Sequence, residues 1–217
     1  MTEKFIVLDT ETTNSIDDPF TYDIGWAVVD ADGNIYETAS YVVAEIFKDN
    51  ALMSSAYFAE KIPQYKAEIE SGKRTLAPFF VIRRALHACA KHYGVKKFFA
   101  HNMRFDYRST NLTQRFLTSS KYRYFFPYGA EICDTLKLAR LALKNSEAYD
   151  NFCYVNNYLT KRGCKRYTAE IIYRFIKNEN NFIESHTALE DVLIEKEILR
   201  YCLENNPNNY GEMWERE

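Results

Sequence analysis

The five cysteines, Cys89, Cys133, Cys153, Cys164 and Cys202, include no Cys-x-x-Cys pair. Scattered in this way they point to free thiols in a reduced compartment. His87, Cys89 and His92 lie close in sequence, but on the helix they occupy they do not converge, so no zinc is expected there. The N-terminus lacks the basic and then apolar pattern of a secretory signal. No uncharged apolar run approaches the ~20 residues that cross a bilayer. A cytoplasmic protein without a membrane partner is the expectation. Glycine and proline are also sparse, seven and five in 217 residues. No linker rich in Pro, Gly or Ser divides the chain, and there is no repeat or low-complexity tract. A single domain over residues 1–217 follows as the simpler reading. The 47% of apolar residues and 16% of aromatics suffice for one substantial core.

Net charge is only −2, but the charge is unevenly placed. Residues 1–60 carry 2 basic and 12 acidic side chains, and residues 61–180 carry 23 basic and 9 acidic. The last 37 residues return to a net of −6. An acidic pocket beside a basic surface suits a nuclease, in which cations neutralise carboxylates at the point of cutting and lysines and arginines hold phosphates. Solvated helix faces are the alternative meaning of the same charges. Within the middle segment, Lys161, Arg162, Lys165 and Arg166 form one candidate phosphate-binding patch.

Three segments concentrate the chemistry. Phe5-Ile6-Val7-Leu8 runs as a buried strand into Asp9-Thr10-Glu11-Thr12. Side chains two apart on a strand share a face, so Asp9 and Glu11 present two oxygen ligands side by side at the end of a sheet, the start of a Mg²⁺ or Mn²⁺ site. Phe98-Phe99-Ala100 leads in the same way into His101-Asn102-Met103-Arg104-Phe105-Asp106. Last comes Ser185-His186-Thr187-Ala188-Leu189-Glu190-Asp191, where Thr187 and Glu190 have the spacing of a capping box that opens the final long helix. His186 then falls just outside the helix and Asp191 in its first turns, an arrangement suited to a base beside a metal ligand.

Taken together and in this order, the three motifs resemble those of the DnaQ-like exonucleases of the DEDDh type, in the ribonuclease H-like superfamily. Asp-x-Glu-Thr matches Asp9 to Thr12, His-Asn-x-x-Phe-Asp matches His101 to Asp106, and His-x-x-x-x-Asp matches His186 to Asp191. A weaker family feature, an acid after the fifth strand, matches Asp134. The similarity extends from about residue 4 to residue 203 and is weakest near 44–78 and 144–180. It implies a 3'-5' exonuclease that hydrolyses phosphodiester bonds at single-stranded DNA or RNA 3' ends and releases nucleoside monophosphates. Two divalent ions, Mg²⁺ or Mn²⁺, are implied as cofactors. Asp9 would bridge both, Glu11 and Asp191 would complete the site nearest the attacking water, and Asp106 would support the second ion. His186 would accept a proton from that water. Thr12, Asn102 and Phe105 would contact or shape the pocket for the terminal nucleotide, although core packing is an equal reading of Phe105. Two alternatives stand beside this one: a catalytically silent nucleic-acid-binding module of the same fold, and a phosphodiesterase for short RNA or another ester.

The implied fold is α/β, a three-layer ribonuclease H-like arrangement with a five-stranded mixed sheet in the order 3-2-1-4-5, strand 2 antiparallel, and helices on both faces. The residues support it. Strands are expected at 4–10, 22–30, 34–43, 97–101 and 130–134, and helices at 45–59, 63–71, 79–93, 104–118, 135–144, 149–160, 168–178 and 187–204. On the expected helical segment near 57–65, Tyr57, Lys61 and Tyr65 share an i, i+4, i+8 stripe, which serves either to stack a base and hold a phosphate or as an ordinary packing face.

Overall fold

The computed structural model describes residues 2–13, 18–121, 123–206 and 209–211. Its frame is a mixed sheet of six strands, β1 (Lys4–Thr12), β2 (Thr21–Asp30), β3 (Ile35–Val43), β4 (Thr75–Ala77), β5 (Lys97–Ala100) and β6 (Glu131–Asp134). They lie in the order β4-β3-β2-β1-β5-β6. β2 is antiparallel to both neighbours, whereas the β3–β4, β1–β5 and β5–β6 pairs are parallel. Five of these strands are the expected ones in the expected order. The sixth, β4, is a three-residue addition beyond β3, so the sheet is six-stranded and not five-stranded.

Alternation along β1 sorts its side chains to two apolar layers. Ile6 and Leu8 join a core with α4 (Phe79–Tyr93), the start of α5 (Met103–Leu117), and the shorter helices α1 (Ala44–Phe47), α2 (Asn50–Met53) and α3 (Ile62–Glu70). Phe5 and Val7 join the opposite core with α6 (Thr135–Leu143), α7 (Glu147–Val155), α8 (Ala169–Lys177) and α9 (Ala188–Asn205). Every residue of β2 is buried, as expected of a strand covered on both faces. Among the described residues no helix is long and apolar enough to cross a membrane.

The helix expected over 45–59 does not form. The Asp49 side chain accepts hydrogen bonds from Ala51 and Leu52 N–H, capping α2 and ending the run after α1, and a 3₁₀ turn at Ala59–Lys61 leads into α3. The Tyr57, Lys61 and Tyr65 stripe is broken with it. Tyr57 is 71% exposed, while Tyr65 is 1% exposed in the core.

Candidate metal centre and cleft

Asp9 and Glu11 follow Phe5 and Val7 on the side of β1 covered by α9, and Asp191 enters from the first turn of that helix. One carboxylate oxygen from each of Asp9, Glu11 and Asp191 lies within 4.8 Å of the others, the one such group of His, Cys, Asp and Glu among the described residues. Asp106 comes from α5 and stands outside this trio. Its Oδ1 accepts a 2.8 Å hydrogen bond from Thr10 Oγ1, on the opposite side of β1 from Asp9. Burial, and then the charge of Asp106, raises the Asp9 pKa well above the ordinary carboxylate range. Burial and Asp191 raise Glu11, and burial and Glu184 raise Asp191. Lys61 lowers both, but one ammonium does not balance the cluster. Clustered hard oxygen donors carrying excess negative charge fit a divalent cation of the Mg²⁺ or Mn²⁺ kind.

Close approach of α9 to β2 sets this geometry. Gly25 pairs with Asp9 across the strands, and a Cβ there would sit 2.4 Å from Leu189 N and 2.5 Å from Leu189 Cα. Only glycine admits the helix so near. Two residues earlier, buried Asp23 accepts from Ala188 N–H at 3.0 Å and so caps the helix end. Asp23 also accepts from Tyr65 Oη at 2.7 Å and from Arg74 at 3.0 and 3.1 Å. Arg74, only 2% exposed, reaches on to Glu68 and to Glu190 Oε2 at 2.7 Å. Thr187 is the N-cap of α9, but its hydroxyl donates to the Glu190 carboxylate at 2.8 Å and accepts no cap hydrogen bond, so half of the expected capping box is replaced by Asp23.

His186 precedes α9 with φ of 51°, in the left-handed region. Its ring lies nearly parallel to Phe58, with centroids 4.4 Å apart, and Lys61 Nζ donates to the carbonyls of Ser185 and His186. Burial and the Lys61 charge lower its pKa, which keeps the imidazole neutral near pH 7. Asn102, at φ 68°, stands at the N-cap position of α5 without a side-chain cap hydrogen bond and lines the cleft beside Asp9; its N–H donates to Asp134 Oδ1 at 3.1 Å. Phe105 is half-buried in the first turn of α5, and Thr12 is buried at a register shift that ends β1.

Three charged groups near the trio have no counterpart in the motifs. Glu195, one turn beyond Asp191 on α9, is 3% exposed and accepts from His101 N–H at 3.0 Å. Its i+4 spacing from Asp191 is a signal that was available in the sequence. Glu184 lines the cleft with Asp9 and Glu195 and has no local sequence signature, while Lys61, expected on the stripe near 57–65, donates instead to the Ser185 and His186 carbonyls. The cleft measures about 550 Å³ and extends from Asp9 to Arg140 and the residues before α8.

The same architecture recurs in solved nucleases. Exonuclease X in complex with 5' overhanging duplex DNA superposes with a TM-score of 0.53 and 19% identity, covering 96% of each chain. Exonuclease I from Methylocaldum szegediense gives 0.62 and 18%, covering 95% of this chain and 41% of that one. E. coli exonuclease I in complex with a dA16 oligonucleotide gives 0.58 and 15%, covering 94% and 41%. The chain has the DnaQ-like exonuclease fold. It spans nearly all of exonuclease X but about two-fifths of the exonuclease I chains. No protein-family model and no curated protein matches the sequence. On this exonuclease fold, the trio of acids sits where the parallel strands β1 and β5 end.

Proposed function

We propose that the protein is a metal-dependent 3'-5' exonuclease, a single domain over residues 1–217 that removes nucleoside 5'-monophosphates from single-stranded nucleic-acid ends. The observation that carries this reading is the convergence of Asp9, Glu11 and Asp191 within 4.8 Å, with His186 held at the start of the helix that supplies Asp191. Asp9, Glu11 and Asp191 would hold one divalent ion, and Asp9 with Asp106 a second. When bound, such ions stabilise the attacking and leaving oxygens of an in-line displacement. His186, neutral and fixed against Phe58, accepts the proton of the attacking water. Thr12, Asn102 and Phe105 shape the pocket for the terminal nucleotide. The solved relatives hold DNA, as a 5' overhanging duplex and as dA16, so DNA ends are the first substrates to try.

The test is a 5'-labelled single strand, DNA or RNA, incubated with Mg²⁺ or Mn²⁺. A ladder shortened from the 3' end, abolished by EDTA, is expected. Binding without shortening in either metal would instead make the protein a silent nucleic-acid-binding module.

A further inference from the structure

The segment 156–169, which carries no family motif, forms a wall of the cleft that contains Asp9. It is folded on itself by an antiparallel bridge between Leu159 and Lys165 and anchored to the rest of the chain at two points: Tyr149 Oη donates to the Arg166 carbonyl at 2.6 Å, and His101 Nε2 lies 2.7 Å from the Tyr167 carbonyl. The last contact joins the wall to the end of β5. Of the four cations in the candidate patch, Lys161 and Arg162 are exposed on the turn and do not line the cleft. Lys165 lines it but is already engaged, by Asp150 and by the carbonyls of Leu143 and Lys144. Arg166 lines it too, with its Nε donating to the Leu159 carbonyl at 3.2 Å, a bond that does not use its two terminal amino groups. It is joined there by Arg140, in the last turn of α6, whose guanidinium lies 6.0 Å from the Tyr167 ring centre.

Both guanidiniums are exposed, and among the described residues neither forms an ion pair with a carboxylate. One cleft is therefore lined both by the carboxylates of Asp9, Glu184 and Glu195 and by the guanidiniums of Arg140 and Arg166. A lone metal or an uncharged ligand would use only one of these two sets. A phosphodiester strand uses both, because the bond under attack needs the carboxylates and the neighbouring phosphate needs a cation.

Building on the proposed exonuclease activity, we infer that Arg140 and Arg166 form a subsite for the backbone phosphate next to the one being cut, and that residues 156–169 are the wall that holds the strand there. Guanidinium groups suit this role, since their planar fork donates to two phosphate oxygens at once.

The double variant Arg140→Gln/Arg166→Gln tests it, with Arg140→Lys/Arg166→Lys as the charge-retaining control. Binding of a fluorescein-labelled oligo(dT) is measured in Ca²⁺ from about 50 to 200 mM salt, and cleavage of oligo(dT) in Mn²⁺ is compared with hydrolysis of thymidine 5'-monophosphate p-nitrophenyl ester, which has a reacting phosphate but no neighbour. The Gln pair should bind about tenfold more weakly at the low-salt end, with the slope of log K against log salt smaller by about 1.4, the loss of two single-strand contacts. The ratio of kcat/KM for oligonucleotide over ester should fall by a similar factor, and the Lys pair should recover most of the binding. An unchanged affinity and slope would overturn the inference, as would an equal loss on both substrates, which would place the two arginines at the terminal nucleotide. Wild-type protein that cleaves neither substrate would refute the exonuclease reading alone, because the binding arm reads the phosphate subsite without turnover. Should the Gln pair melt more than a few degrees below wild type, the single variants carry the same binding measurement, each expected to remove about 0.7 from the slope.

Discussion

Asp9 and Glu11 are half-buried and Asp106 and Asp191 buried, a costly place for four carboxylates, and each has its pKa raised, first of all by loss of water. Such a cluster persists where a cation is its counterpart. Asp9→Ala or Asp106→Ala is therefore expected to abolish cleavage while the metal-free protein melts at the same or a higher temperature, since a like charge has been removed. Near-normal turnover by either variant in Mg²⁺ would refute the metal assignment. His186 makes a different prediction, because it stands outside the trio. His186→Ala should retain calorimetric Mn²⁺ binding and lose about 10²- to 10⁴-fold in kcat, the contribution of a positioned base. Because burial and Lys61 lower the His186 pKa, the imidazole stays neutral to below its ordinary value near 6.5, and wild-type activity should fall only as the pH drops through that lowered pKa. Loss of an ion-binding site in the variant would make His186 a ligand, and an unchanged pH–rate limb would remove it as the base. The motif residues on β1 and α9 announce themselves by spacing alone. Glu184 does not, and Lys61 does so only within a stripe that the fold breaks, because their relevance comes from which elements the fold brings against the site.

The start of α9 is the element on which the site depends, and three residues of other elements hold it. Gly25 lets the helix descend onto β2, Asp23 caps it, and Arg74 neutralises Asp23 while pairing with Glu190. Arg74→Met would leave Asp23 buried without its cation, at a cost of about 3 to 5 kcal/mol. In urea unfolding, Asp23→Asn in the Arg74→Met background should cost clearly less than in wild type, and simple additivity would deny the coupling. Gly25→Ala should destabilise by about 1 to 3 kcal/mol and reduce turnover with it, since its Cβ would displace the backbone that carries Asp191. The elements differ in how plainly the chain declares them. β1, β2 and β3 are long apolar or alternating runs, and α4, α5 and α9 are long periodic ones, so their limits fall within a residue or two of expectation. β4 escapes because three residues, Thr75–Ala77, are too short for a period, and it forms only by pairing beside β3. The region 45–59 misleads because its apolar residues keep a helical spacing across Asp49, whose cap to a new helix the periodicity does not register.

At the scale of the whole molecule, two opposed sets of carboxylates decide how stability follows pH. Asp9, Glu11, Asp106, Asp191 and Glu195 have native pKa values raised above their unfolded ones, in each case mainly by burial. The folded chain thus binds more protons than the unfolded chain between the ordinary carboxylate range and those raised values, and over that interval stability increases as the pH falls. Glu190 and Glu197 act the other way. Against the upward push of burial, Lys73 and Thr187 hold Glu190 down to about 2, and Lys177 and Lys196 hold Glu197 down to about 2. Their contribution is present above the unfolded carboxylate pKa and is lost as the pH falls from there toward 2. Metal-free protein should accordingly melt at a higher temperature at about pH 6 than at about pH 8, and then lose stability below about pH 4. Saturating Mg²⁺ should raise the melting temperature at pH 8 more than at pH 6, because a cation favours the ionised carboxylates that protonation otherwise removes. Asp9→Asn should flatten both effects. Thermal melts at the three pH values, with and without Mg²⁺, give the answer: a melting temperature that falls steadily from pH 8 to pH 6 without metal would mean that the acidic cluster carries no stored repulsion, and the case for a divalent ion at Asp9, Glu11 and Asp191 would fall with it.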